Sequence, residues 1–170
     1  MLDDQSCKDL SEDVLHFIPA LRAYAWTLTR SQQEIDDLVQ ETLTKAIANI
    51  GRFRPGTNMR AWLMTIMRNT FYNEIIKRNR EKPGSEDCAS ASPSVQATQE
   101  WAICGTEIMQ AVRTLPIHYR EVLILVVMLG ESYETTARLC GIAVGTVKSR
   151  VNRARVMVQD QLSDVDSSAS

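Results

Sequence analysis

Apolar residues recur at three- and four-residue steps along most of the chain, the period of helices that bury one face. Val14, Phe17, Ile18, Leu21, Tyr24, Ala25 and Leu28 form the first such stripe. Ser11 with Asp13 behind it offers a start, and Pro19 is expected to kink or shift the helix. A second helix is predicted from about Glu34 to Ile50, burying Ile35, Leu38, Val39, Thr42, Ala46, Ile47 and Ile50 and stopping at Gly51. Asp36 and Asp37 then fall in its first turn, where carboxylates favour the helix dipole. Arg52-Phe53-Arg54-Pro55-Gly56-Thr57-Asn58 reads as a Pro-Gly loop, and Asn58 or Thr57 can cap a third helix running to about Arg80. Its core face would carry Leu63, Ile66, Met67, Thr70 and Phe71. Asn69, Asn73, Lys77 and Arg80, spaced 4, 4 and 3, share one polar stripe.

Residues 83–94 break this period. They hold two prolines, a glycine and four serines with no large apolar group, the composition of a flexible linker. Beyond it, Trp101, Cys104, Ile108, Ala111, Val112 and Leu115 predict another amphipathic helix, ended by Pro116. Val122 to Leu129 is an unbroken apolar run. Its β-branched content allows a buried strand, but no partner strand exists nearby, so it reads as a buried helix closed by Gly130. Ser132 caps a short helix through Leu139, Gly141 makes a turn, and the last helix starts near Val144. Val147, Val151, Ala154, Val158 and Leu162 form its apolar stripe, and the polar tail from Ser163 to Ser170 is expected to fray. The pattern predicts an all-α protein of two small helical domains, 1–82 and 99–170, joined by a linker over 83–98.

Charge changes this picture, because the net value of −2 hides a segregation. Residues 1–50 carry 4 basic and 9 acidic groups, residues 51–82 carry 8 and 2, and residues 83–112 carry 0 and 4. From Arg138 to Arg155 there are 5 basic groups and no acid. Two basic segments in a mildly acidic chain imply two contacts with polyanions. The longest apolar run is eight residues, far short of the ~18 to 20 that a membrane span needs. The acidic, polar start Met1-Leu2-Asp3-Asp4-Gln5 does not resemble a secretory signal, so a cytoplasmic location is expected. Cys7, Cys88, Cys104 and Cys140 form no C-x-x-C pair, and His16 and His118 stand far from them in sequence. Reduced cytosolic thiols fit better than a metal site, and nothing local supports a redox sensor. With no P-loop, no Gly-rich dinucleotide loop and no metal pair, the sequence points away from an enzyme and implies no cofactor.

The strongest local pattern is Tyr133 to Arg155. Ala137 lies in a short helix, Gly141 follows four residues later and Val147 six beyond, which is helix-turn-helix spacing. The second helix would expose Thr146, Lys148, Ser149, Arg150, Asn152, Arg153 and Arg155, side chains suited to phosphates and to base edges in a major groove. A plain helical hairpin would leave five unopposed cations without a purpose. The second pattern is Arg52 to Arg80, where cations and amides alternate with Phe53, Trp62, Phe71 and Tyr72. Rings can stack on unpaired bases and amides can bond their edges, although Trp62 and Phe71 serve equally well as core.

Taken together, these segments resemble the extracytoplasmic-function (ECF) sigma factors of bacterial RNA polymerase. Asp36-Asp37-Leu38-Val39-Gln40-Glu41-Thr42, Arg52 to Leu63 and Met67-Arg68-Asn69-Thr70-Phe71-Tyr72-Asn73 look like the domain that binds core polymerase and melts promoters. Leu115-Pro116, Arg120-Glu121-Val122-Leu123 and Val144 to Arg155 look like the domain that reads the upstream promoter element. The Arg-Ala-Trp-Leu and Arg-Asn-Thr-Phe-Tyr wording is closest to alphaproteobacterial members, including the EcfG-type general stress factors. The resemblance implies that Asp36, Asp37, Gln40 and Glu41 dock on polymerase. It implies that Phe53, Arg54, Asn58, Trp62, Arg68, Asn69, Asn73, Lys77 and Arg80 meet the -10 element, with the loop Phe53 to Asn58 and Asn69 taking a flipped base. Thr146, Lys148, Ser149, Arg150, Asn152, Arg153 and Arg155 would read the -35 duplex.

The implied partners are core RNA polymerase, promoter DNA and an anti-sigma factor, with no membrane insertion, no metal and no catalytic residue. Two departures stand out. Thr135 replaces a common Glu, which removes a capping box, and Asn152 replaces an aromatic residue or His, which alters the expected -35 preference. A sigma mimic that sequesters an anti-sigma factor is the alternative, but mimics tend to lose the basic recognition helix and usually carry a receiver domain. A lone helix-turn-helix repressor would leave residues 13–80 unexplained.

Overall fold

The computed structural model describes residues 14–81 and 104–168. All regular structure among them is helical. The chain divides into two compact units, one from Met1 to Cys88 and one from Ala89 to Ser170. The linker expectation, the Ser11 start, Trp101 and the last two residues lie outside the described residues.

In the first unit, α1 spans Ile18–Leu28, α2 Gln32–Ala48 and α3 Met59–Glu81, with a 3-10 turn at Ile50–Arg52. Pro19 acts as expected. The helical stretch at 14–16 is interrupted at Phe17, and α1 restarts with the proline in its first turn, where a missing N–H costs nothing. Leu21, Tyr24, Ala25 and Leu28 of α1 meet Ile35, Leu38, Val39 and Ala46 of α2 and Leu63, Met64 and Met67 of α3 in one core. Thr27 and Thr42 are fully buried because each hydroxyl donates 2.7 Å to a carbonyl of its own helix, Tyr24 and Leu38 respectively.

α2 starts two residues earlier than the spacing predicted. Ser31 accepts from the Glu34 N–H at 3.2 Å, and the Glu34 carboxylate accepts from the Ser31 N–H at 3.1 Å, a complete capping box. Glu34 is therefore the first-turn acid, held below the usual carboxylate range by backbone and Ser31 hydrogen bonds that outweigh its partial burial. Asp36 and Asp37 stand beyond that turn. Ile47 was expected in the core but is 47% exposed, since α2 packs on α1 and α3 only along the Ile35–Ala46 stripe.

In the second unit, α4 spans Cys104–Thr114, α5 Ile117–Leu123, α6 Tyr133–Cys140 and α7 Val144–Ser168. The apolar run after α5 is neither strand nor plain α-helix. Ile124–Met128 forms a π-turn in which the Leu129 N–H reaches the Ile124 carbonyl at 3.0 Å. Gly130, at φ +66°, then reverses the chain. The run is also only half interior: Val122 to Leu125 are buried, while Val127 and Met128 are exposed. Ile108, another expected core residue, also faces outward. The tail expectation is corrected in part. α7 continues to Ser168, and the Ser163 hydroxyl donates to the Gln159 carbonyl at 3.0 Å instead of unwinding the turn.

α6 and α7 meet through Gly141. Its φ of +67° places it in the left-handed region. That geometry lets the N–H groups of Gly141 and Ile142 both reach the Ala137 carbonyl. Ser132 caps α6 by accepting from the Thr135 N–H at 3.0 Å, so a single cap replaces the capping box that Glu would have completed. Gly141→Ala is expected to destabilise the second unit by about 1–2 kcal/mol, the cost of a Cβ at left-handed φ, since nothing crowds the site. Denaturant unfolding followed by a probe in that unit checks this, and an unchanged midpoint would show that the turn relaxes.

Candidate nucleic-acid interface

The first candidate surface belongs to α3, which is about 35 Å long at 1.5 Å per residue. Leu63, Met67 and Thr70 face the core, so the opposite flank is free to meet a ligand. Asn69, Asn73, Lys77 and Arg80 are all exposed there. Trp62 stands two helical turns before Asn69 and so shares its face. Phe53 packs on Trp62 at a ring-centroid distance of 5.3 Å, tilted by 52°. The Pro-Gly loop is thereby anchored at the start of the amide stripe. Asn58, not Thr57, caps α3, accepting from the Ala61 N–H at 3.0 Å, while the Thr57 hydroxyl donates to the Arg54 carbonyl.

Two expectations change. Phe53 is 6% exposed, so it shapes the loop instead of offering a face for stacking, and Trp62 is half-buried beneath it. Arg68 lies about 100° around the helix from Asn69 and covers the Tyr72 ring at 4.5 Å. Phe71 sits edge-on to Tyr72 at 5.3 Å, and both rings are half-buried. Arg54 and Asn58 are exposed on the loop. Beside it an open hollow of about 410 Å³ is lined by His16, Phe17, Phe53, Pro55, Gly56, Thr57 and Met59. His16 could not be placed here by sequence spacing, because only the packing of the segment before α1 against the loop brings it near.

The residues expected to dock on polymerase, Asp36, Asp37, Gln40 and Glu41, sit on α2 in unequal settings. Asp37 and Gln40 are exposed. Asp36 is held by Arg22 at 2.6 Å. Glu41 takes Lys45 at 2.6 Å, and the same ammonium donates to the Thr70 hydroxyl at 3.1 Å, tying α2 to α3. Glu74 of α3 completes this cluster, with Arg78 at 4.0 Å. The Lys45 hydrogen bond, and then one from Glu74, keep Glu41 below the usual carboxylate range. Partial burial, and then Glu41 itself, push Glu74 above it.

A carboxyl whose folded pKa is raised stabilises the fold below its unfolded pKa of about 4.3, and that contribution is lost as pH rises through the folded value. Glu74→Gln should therefore stabilise the first unit at neutral pH by under about 1 kcal/mol, given its exposure, and the gain should vanish below about pH 4. Thermal unfolding across pH checks this, and a less stable variant at pH 7 would overturn it.

The second candidate surface is α7. Val147, Val151 and Ala154 are buried against the rest of the unit. Lys148, Ser149, Asn152, Arg153 and Arg155 are exposed, and Thr146 and Arg150 are half-buried at its edge. Every residue predicted for this face is accordingly outside the core. Ser149 donates to the Thr146 carbonyl at 3.0 Å, and the Lys148 ammonium stands 5.8 Å from the centre of the Tyr133 ring. Ala137 and Val147 are buried where α6 crosses α7, the close approach that helix-turn-helix spacing requires.

Comparison with known proteins supplies the family. Residues 14–81 match the Sigma-70 region 2 family and residues 105–158 the Sigma-70 region 4 family. The chain is 47% identical over 146 residues to the ECF RNA polymerase sigma factor EcfG of Rhodopseudomonas palustris, covering 86% of this chain and 81% of that one. It is 34% identical to the ECF sigma factor SigC of Mycobacterium tuberculosis, covering 82% and 77%. Among solved structures it is similar to the sigma factor RpoE of Bartonella quintana, crystallised with the anti-sigma factor NepR, at a TM-score of 0.80 and 40% identity over 92% of this chain and 98% of that one. Both matched regions, in this order and at this coverage, place the chain among the ECF RNA polymerase sigma factors, alternative sigma factors that bind core RNA polymerase and direct transcription from promoters.

Proposed function

We propose that the two units divide promoter recognition between them. Residues 1–82 bind core polymerase and capture the -10 element as a single strand, residues 83–98 link the units, and residues 99–170 read the -35 element as a duplex. The observation that carries this reading is the anchoring of the Phe53–Asn58 loop over Trp62, at the head of the exposed Asn69–Asn73–Lys77–Arg80 stripe. A base extruded from the duplex loses a few kcal/mol of stacking, which the site must return. The open hollow beside the loop supplies apolar surface for a base, the amides supply hydrogen bonds to unpaired edges, and Lys77 and Arg80 supply charge for the backbone. Opening would be driven by trapping of unpaired bases, with no need for ATP.

On α2, Asp37 and Gln40 are the exposed groups suited to contact polymerase directly, while Glu41 acts from within its ion-pair cluster. The likeness to a sigma factor crystallised with an anti-sigma factor supports inhibition by such a partner here. The likeness to EcfG supports a role in general stress. No helix among the described residues is long and apolar enough to cross a membrane, in keeping with a regulator that works beside cytoplasmic polymerase. The exposed cations of α7 favour promoter binding over a role as a mimic that only sequesters an anti-sigma factor.

Asn69→Ala is expected to leave polymerase binding and -35 duplex binding intact. It should weaken binding of single-stranded -10 oligonucleotides by about 1–3 kcal/mol and slow promoter opening, with a pre-melted bubble restoring part of the rate. Permanganate footprinting that finds opening at the normal rate would remove Asn69 from the site.

For the second unit, Arg153→Ala should weaken -35 binding by about 1–3 kcal/mol and relax preference at one position if the guanidinium holds a base edge. If it meets only phosphate, affinity should fall on every sequence and the salt slope should flatten by about one ion. Unchanged binding would sink the assignment of α7.

A further inference from the structure

Two of the three candidate docking acids on α2 are already ion-paired within the first unit. The two pairs differ in kind. Lys45 reaches Glu41 from one turn further along α2 and is also held by the Thr70 hydroxyl, so it belongs to the seam between α2 and α3. Arg22 comes from α1, and its Nη2 meets Asp36 Oδ1 at 2.6 Å. The guanidinium makes no other ion pair or hydrogen bond among the described residues. Gln32 adds only a long, neutral contact of 3.4 Å to the same oxygen. The Arg22 side chain is 46% exposed and that of Asp36 41%, so the pair stands in solvent and can part at little cost. The core does not depend on it either, because α1 and α2 already meet through Leu21, Tyr24, Ala25 and Leu28 against Ile35, Leu38 and Val39.

An acidic helix face docks on a surface that carries guanidinium or ammonium groups. Asp36 attracts such a group only as far as its charge is uncancelled. In the free protein its pair with Arg22 is neutral, and a cation approaching Asp36 also approaches Arg22, a like charge. Asp37, the next residue, is exposed and has no ion pair among the described residues. We propose that Arg22 is a competing cation, which covers Asp36 in the free protein and must release it before α2 docks on polymerase. The inference rests on the reading of α2 as the docking helix. Arg22 then acts through Asp36, and tempers polymerase affinity from the neighbouring helix α1.

The test measures binding of the labelled full chain to core RNA polymerase from the source bacterium at about 0.15 M salt, where charges more than about 8 Å apart are largely screened. Arg22→Gln and Arg22→Met should each bind about two- to fivefold more tightly than the wild type, the range of an exposed ion pair. Arg22→Lys, which keeps the charge, should bind as the wild type. The gain should vanish when Asp36 is already Asn, because no carboxylate is then released. Neutral variants that bind no more tightly than the wild type, or a gain that survives in the Asp36→Asn background, overturn the proposal. Asp37→Asn separates the two readings. If it weakens docking while the neutral Arg22 variants bind as the wild type or less tightly, α2 remains the docking helix and this inference alone falls. If Asp36→Asn, Asp37→Asn and Arg22→Gln all bind as the wild type, α2 is not the docking helix and the inference falls with it.

Discussion

Each of the two helices that carry the candidate DNA contacts must give part of its circumference to the core of a unit some 70 residues long. A helix repeats every 3.6 residues, so the stripe that packs determines which residues are left to face a ligand. In α3 the packing of Leu63, Met67 and Thr70 turns Asn69, Asn73, Lys77 and Arg80 outward. In α7 the packing of Val147, Val151 and Ala154 does the same for Lys148, Asn152, Arg153 and Arg155. A single residue inserted in either helix would rotate the exposed set by about 100° and aim the wrong chemistry at the DNA. The cores are thus more than a source of stability, because they set the phase of recognition.

Much of this was legible from periodicity, since the stripe that packs and the stripe that faces solvent are two readings of one pattern. The helix-turn-helix was visible because its turn needs a residue tolerant of positive φ, and Gly141 stands at the required spacing. What the sequence concealed depended on contacts between distant segments. Phe53 could not be recognised as buried until the loop was seen to fold onto Trp62. The Glu41–Lys45–Thr70–Glu74 cluster depends on the register of α2 against α3. Ile47, Ile108, Val127 and Met128 fit apolar stripes yet face outward, because units this small have too few elements to cover every apolar position. The Ser31–Glu34 capping box is a different kind of miss. Its Ser-x-x-Glu signature was present in the sequence and simply began three residues before the helix start that periodicity indicated.

The two surfaces differ in the chemistry they offer, and the difference matches the two states of promoter DNA. α7 presents a compact set of cations and small polar groups on a rigid rod, the form that enters a duplex groove. The region around α3 combines amides, an open hollow and two terminal cations, which suits a strand whose bases have left the helix. Under the proposed division, one unit would gain from intact DNA and the other from opened DNA, and the pair would favour the melted promoter.

That division is the central claim, and initiation by reconstituted holoenzyme on a promoter library tests it most directly. Two windows of the library are randomised, and transcripts are sequenced to recover the templates that fired. The account predicts selection in both windows, with the upstream preference carried by duplex base pairs and the downstream preference retained when only the non-template strand bears the selected bases. Selection confined to one window, or a downstream preference that follows the template strand, would contradict it.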